Sequence, residues 1–347
     1  MFEYDRSNYM GLLKDFPEQI PTALKCVTDA GLSVSGEGVR NIVLAGMGGS
    51  AISGDLLLGY LRDELAVPGM VNRSYTVPAF VSEDTLFVAT SYSGNTEETL
   101  SATRAALERK ARVVGISSGG ELAALCAEHK CPHVTVPGGL PPRQALGYLF
   151  FPLLKVMEAG GFIASRDAEI EETYRLLREL DHRFDPDYSQ GNNLANHIAQ
   201  SIYHAIPVTY VGVDYLHGVP VRWRNQFSEN AKSMAFSNIF PELNHNEIMG
   251  WEGLEDVNKH FRVIFLRDAG ESDRMKQRID ITKKLLRKRN ILLGEIYAEG
   301  ESRLARMFSL IYIGDWASFY WAMLNEKDPT AIDSIDHLKE QLSAQPA

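Results

Sequence analysis

The chain reads as an α/β protein made of two units, each a mostly parallel sheet flanked by helices. Three observations carry this reading. Apolar, β-branched runs alternate with helical periodicity through residues 41–136, the pattern of right-handed crossovers between parallel strands. Glycine-rich and hydroxyl-rich loops stand where such runs end, the place where ligands of open parallel sheets bind. After a turn-rich segment at 185–192 the alternation begins again.

In order along the first half, 41–45 is an apolar strand and a helix runs on to Leu61. Strands follow at 70–75 and 85–90, then a helix to Lys110 and a strand at 112–116. A helix near 122–126 and a last strand at 133–136 close the unit. Residues 148–157 form a buried helix. The charged stretch 166–183 keeps Ile170, Tyr174, Leu177 and Leu180 at helical spacing, which marks a connecting helix. The sequence of 185–192, rich in Asp, Pro, Gly and Asn, is the best candidate boundary. Beyond it come a helix at 193–205, strands at 207–211, 261–266 and 291–297, and helices at 222–234, 304–324 and 331–342. The expected division is 1–160, a connector at 161–192, and 193–347.

Chemistry is concentrated at two strand ends. Gly46-Met-Gly-Gly-Ser50-Ala-Ile-Ser-Gly-Asp55 passes from strand to helix, and its glycines let backbone approach an anion held at the helix start. Gly46, Gly48 and Ala51 match the G-x-G-x-x-A spacing of dinucleotide enzymes, but the next strand ends near Arg73 where an acidic residue is expected. The second loop, Ser91-Tyr-Ser93-Gly-Asn-Thr96-Glu-Glu-Thr99, holds more hydroxyls than a helix cap needs. That excess suits a tetrahedral oxyanion such as phosphate.

Composition bounds the remaining possibilities. A length of 347 residues exceeds what one core usually holds. The net charge of −10 disfavours nucleic acid as a partner. The longest apolar run, 145–154, is too short to cross a bilayer, and residues 1–6 do not read as a secretory signal. Three cysteines, Cys26, Cys126 and Cys131, fit a reducing cytoplasm. Cys126, His129, Cys131 and His133 crowd together, yet no second ligand pair stands at zinc spacing, so no metal is expected. The sequon at Asn72 is expected to be idle.

The loop Ser91, Ser93, Gly94, Thr96 resembles the phosphosugar loop of the sugar isomerase (SIS) domain family, Ser-x-Ser-Gly-x-Thr. The wider chain resembles the bifunctional phosphoglucose/phosphomannose isomerases, which carry two such domains. The matching stretches are 46–55, 91–99, 141–148, 222–232, 241–247 and 335–339. The resemblance implies interconversion of glucose 6-phosphate, and mannose 6-phosphate as well, with fructose 6-phosphate through an enediol, without metal or cofactor. It implies Glu229 as base, Arg143 as the cation near the enediolate, and His245 and Lys339 in ring opening, with His245 reaching the site from the other subunit of a homodimer. Ser91, Ser93 and Thr96 would hold phosphate, while Gly48, Gly49 and Ser50 face the sugar. The threonine that the family links to tolerance of either C2 configuration would be Thr330. Glu229 is expected beside apolar walls formed by Trp223, Phe227 and Met234. A silent phosphosugar sensor would need the same loops but not the combination of Glu229, His245, Arg143 and Lys339.

Overall fold

The computed structural model describes residues 2–188 and 191–343. Two helices, α1 (Tyr9–Lys14) and α2 (Gln19–Asp29), precede the first sheet. Its strands are β1 (Asn41–Ala45), β2 (Gly69–Asn72), β3 (Thr85–Thr90), β4 (Arg112–Ser117) and β5 (His133–Thr135). They are all parallel, in the order β2-β1-β3-β4-β5. The helices between and after them are α3 (Gly48–Tyr60), α4 (Glu97–Glu108), α5 (Gly120–Glu128) and α6 (Leu146–Ala159). The switch in strand order falls between β1 and β3, so the crevice there lies between the two loops singled out above.

Helix α7 (Asp167–Phe184) leads into the second half, which opens with α8 (Leu194–Ile202), β6 (Ile206–Val211) and α9 (Gly218–Ala231). Then come β7 (Phe236–Ile239), the short α10 (Glu255–Asn258), β8 (Phe261–Arg267), α11 (Asp273–Arg287) and β9 (Leu292–Tyr297). Helices α12 (Arg303–Leu324) and α13 (Asp333–Ser343) end the chain. The second sheet is also parallel, in the order β7-β6-β8-β9. This repeats the order of the first four strands, with β6 standing for β1 and β8 for β3.

The central strands of both sheets, β1, β3, β6 and β8, are largely buried on two faces, which is why they read as nearly continuous apolar runs. In β1, Ile42 and Leu44 enter the central core while Val43 and Ala45 enter the layer under α4. In β8, Ile264 and Leu266 face the same central core, and Val263 and Phe265 face an outer layer with Tyr210 and Phe240. Helix α12 is apolar on nearly all sides and packs against α7, α8 and α9 at the centre. The connecting helix α7 therefore lies on α12 instead of spanning open solvent.

Several expectations need correction. The strand expected at 70–75 ends at Asn72, and the helix expected at 222–234 is α9, which starts and stops earlier. Strand β7 and helix α11 were not anticipated: β7 is four residues with Ser237 and Asn238 inside it, and α11 is mostly charged. Residues 189–190 of the expected boundary lie outside the described residues.

The cysteine and histidine cluster has structural uses. Cys126 and Cys131 bracket the end of α5, where the Cys131 amide returns to the Cys126 carbonyl at 2.8 Å around Lys130 in the left-handed region. Burial pushes the Cys126 thiol up to about 12. His133 Nε2 meets Ser117 Oγ at 2.8 Å. The amide of Asn72, buried, donates to the carbonyls of Ser74 and Thr76, and Arg73 pairs with Asp55.

Candidate active site

The two loops expected to hold phosphate meet at the switch between β1 and β3. Thr96 begins α4, but its side chain makes no capping bond. Its hydroxyl instead lies 2.8 Å from Ser91 Oγ, which also accepts the Thr96 amide at 3.4 Å. Ser50 Oγ, from the first loop, accepts the Tyr92 amide at 3.2 Å, and Ser93 Oγ accepts the Asn95 amide at 3.2 Å. Ser91 and Ser50 are buried and Ser93 is exposed. Gly94 has φ +73, and a Cβ there would stand 1.9 Å from the Gly119 carbonyl oxygen, so no other residue fits. The result is a ring of hydroxyls at the positive end of α4, a setting for a phosphate.

Arg143 lies next to this ring through its backbone. Gly49 packs against residues 142–143 so closely that a Cβ would come within 2.7 Å of the Pro142 carbonyl oxygen. The short turn Pro142–Gln144 is also held from α2, because Gln19 donates to the Gln144 carbonyl at 2.7 Å and accepts the Gly147 amide at 3.0 Å. The Arg143 guanidinium is buried and lies over the Tyr9 ring at 5.7 Å. Its Nε donates to Asn230 Oδ1 at 2.7 Å, and its Nη2 donates to the carbonyls of Pro329 at 2.7 Å and Thr330 at 3.3 Å. Nη1 faces the Glu229 carboxylate at 3.4 Å.

Glu229 is near the end of α9, with its side chain 30% exposed. Of the expected apolar walls, Trp223 and Phe227 are buried in the core, and only Met234 shares a cavity with Glu229, together with Ile332 and Ile335. Its neighbour is a guanidinium. Lys232, which closes α9 in the left-handed region, donates to the carbonyls of Glu229, Asn230 and Pro329. Burial, helped by Arg143, brings the Lys232 pKa down to about 8. Burial likewise pushes the Tyr9 hydroxyl up to about 12 against the pull of Arg143.

Behind these groups is a buried polar layer. Arg222 on α9 pairs with Asp315 on α12 at 2.6 and 3.1 Å, and Gln226 also donates to Asp315 at 2.9 Å. Burial pushes the Asp315 carboxyl up and Arg222 pulls it back. Neither Asp315 nor Asn230 was singled out from sequence. An acidic residue inside an otherwise apolar helix was the available signal for the first, and adjacency to Glu229 for the second.

A cavity of about 650 Å³ opens between the end of α9 and the start of α13, lined by Glu229, Lys232, Asp328 and Ile335 among others. A larger one, about 760 Å³, is beside Arg112 and Pro132 at the opposite ends of the strands and far from these groups. The Thr330 hydroxyl is buried with no partner among the described residues.

Two expected site residues stand apart. His245 is exposed on the turn Glu242–His245 after β7, and its side chain makes no hydrogen bond, ion pair or ring contact with the described residues. Strands β6 and β7 are parallel and α9 runs back between them. Glu229 therefore stands near the start of β7, and His245 beyond its end. Lys339 is exposed on α13, where Ile335, Leu338 and Leu342 are also uncovered.

Comparison with known proteins agrees with this architecture. Residues 191–342 match the family described as bacterial phospho-glucose isomerase C-terminal SIS domain. A bifunctional phosphoglucose/phosphomannose isomerase of Caldicellulosiruptor bescii is 41% identical over 329 residues, covering 95% of this chain and 97% of that protein. The protein of the same name from Thermoplasma acidophilum is 37% identical over 331 residues, covering 95% and 98%. Among solved structures, a hypothetical protein of Thermus thermophilus shares the fold, with a TM-score of 0.77 at 16% identity over 98% of this chain and 91% of that one.

Proposed function

From the premise that this chain belongs to the bifunctional phosphoglucose/phosphomannose isomerase family, we propose how its own residues divide the work of isomerisation. The chain is an aldose-ketose phosphosugar isomerase; the assignment of roles is our reading. Ser91, Ser93 and Thr96 hold the phosphate at the start of α4, with Gly48, Gly49 and Ser50 along the sugar. Glu229 takes the C2 proton of the open-chain aldose while O1 gains a proton to give the enediol, and return of the abstracted proton to C1 with loss of the O2 proton makes the ketose. The oxyanion that develops in between faces Arg143, whose positive charge stabilises it. Glucose and mannose phosphates differ at C2 and share this enediol, so both can be substrates. Thr330, whose carbonyl accepts from Arg143 and whose hydroxyl has no partner among the described residues, is our candidate for the residue that tolerates either configuration.

The observation that carries this reading is the fixed pair of Arg143 and Glu229, 3.4 Å apart at the edge of a cavity. A silent sugar-phosphate sensor would gain nothing from holding a buried guanidinium against a carboxylate. Ring opening is assigned to His245 and Lys339. Because His245 lies at the far end of the second sheet from Glu229, we assign it to the site of a second copy in a homodimer. Free cysteines fit a cytoplasmic setting, and no helix among the described residues is long and apolar enough to cross a membrane.

A coupled assay on glucose 6-phosphate and mannose 6-phosphate tests the proton transfer. Glu229→Gln keeps the shape of the side chain and removes the base, so kcat should fall by about 100-fold or more. Full activity in that variant would rule out Glu229 as the base.

A further inference from the structure

We infer that Asp315 and Ser318, about one turn apart on α12, are positioning residues that aim Arg143 through Arg222 and Asn230; this rests on the isomerase reading of Arg143. Two routes run from α12 to the arginine. In the first, Ser318 Oγ donates to the Asp315 carbonyl at 2.6 Å and is left to accept Asn230 Nδ2 at 2.8 Å. That fixes which end of the Asn230 amide is which. Its Oδ1 must then face Arg143 Nε at 2.7 Å, since a flipped amide would put two donors together.

In the second route, the Asp315 carboxylate takes two bonds from Arg222. Arg222 Nη2 also donates to the Arg143 backbone carbonyl at 3.0 Å. The first route sets the plane of the Arg143 guanidinium and the second sets the position of its main chain. With Nε and Nη2 both engaged, Nη1 is the edge turned toward Glu229.

Energetics argue that this network is more than packing. Arg222 and Asp315 have side chains 2% and 1% exposed, and Asn230 and Ser318 are fully buried. Replacing a buried ion pair by apolar residues of similar volume is often neutral or stabilising, so the pair is weak as a source of stability. What the apolar alternative would lack is a donor to the Arg143 carbonyl and an acceptor for the buried Gln226 amide.

The test is the double variant Arg222→Met with Asp315→Leu, alongside Ser318→Ala. If the network aims Arg143, kcat falls by about tenfold to 100-fold in the double variant and by a smaller factor in Ser318→Ala, while KM stays near its wild-type value. A hydroxamate that mimics the enediolate should lose affinity by the same factor as kcat, and a hexitol 6-phosphate that mimics the ground state should not. A purely structural role would weaken both inhibitors together or neither, and either result overturns the inference. Should the double variant fail to fold, Ser318→Ala decides by the same two inhibitors. Wild-type protein without turnover would instead defeat the isomerase reading itself.

Discussion

Lys232 occupies a position where helices usually place glycine, since it ends α9 with φ 55 and ψ 38. The side chain compensates by turning back over the helix end, where its ammonium donates to the carbonyls of Glu229 and Asn230 that have no helical partner. The same ammonium reaches the Pro329 carbonyl, which Arg143 also holds, so three segments of the site converge on one oxygen. Partial burial, helped by the nearby Arg143 charge, favours the neutral amine, and the pKa drops from 10.5 to about 8. The unfolded chain then binds more protons than the folded one between about pH 8 and pH 10.5, and stability must rise with pH across that window. Below about pH 8 that gain is lost. Comparing melting temperatures of wild type and Lys232→Met at several pH values isolates the effect. The difference between them should move in favour of wild type from about pH 8 to pH 10, and a flat or falling difference would contradict the lowered pKa.

At the scale of elements, the contact between α9 and α12 positions the site, because α9 carries Glu229 and Asn230 while α12 carries Asp315 and Ser318. Gly314 makes that contact possible: a Cβ there would stand 2.2 Å from Trp223 Nε1, which donates to the Leu310 carbonyl at 2.8 Å. Trp223 is fully buried, so it has nowhere to retreat. Gly314→Ala should therefore cost about 1–3 kcal/mol by overpacking despite alanine's better helix propensity, seen as a lower denaturant midpoint. A midpoint equal to or above that of wild type would mean that the two helices can slide apart freely. This contact also shows how far the sequence could be read. The apolar run of α12 and the alternation of the first sheet were legible because burial on all sides leaves a one-dimensional trace. Strand β7 was not, since four residues with two polar ones carry no periodicity. Among the candidate site residues, Arg143 and Glu229 are proposed from the resemblance of their motifs, and Ser91 and Thr96 from an excess of hydroxyls. Asn230 and Asp315 were not, because what matters about them is a distant partner: Asn230 meets Ser318 across 88 positions, and Asp315 meets Arg222 across 93.

On the roles proposed above, the molecule as a whole poses a geometric problem, because one chain does not bring His245 to Glu229. Strand β7 rises for four residues, about 13 Å, from near the end of α9 toward His245. The histidine and Glu229 thus stand toward opposite ends of β7. A two-fold partner solves this, because an isologous dimer can bring the His245 end of each chain to the Glu229 end of the other. The uncovered stripe of Ile335, Leu338 and Leu342 on α13 adds apolar surface that an oligomer could bury. The arrangement has an arithmetic consequence. Glu229→Gln and His245→Asn should each lower activity by about 100-fold or more as homodimers. In a heterodimer of the two, one site collects both substitutions and the other collects neither. Random exchange makes about half of all dimers mixed, each with one intact site of two, so an equimolar mixture should recover about a quarter of wild-type activity. Co-expression with distinct tags, with the mass of the mixed species confirmed by light scattering, provides the measurement. A confirmed mixed dimer with no more activity than its parents would place His245 and Glu229 in the same chain's site, or His245 outside the chemistry.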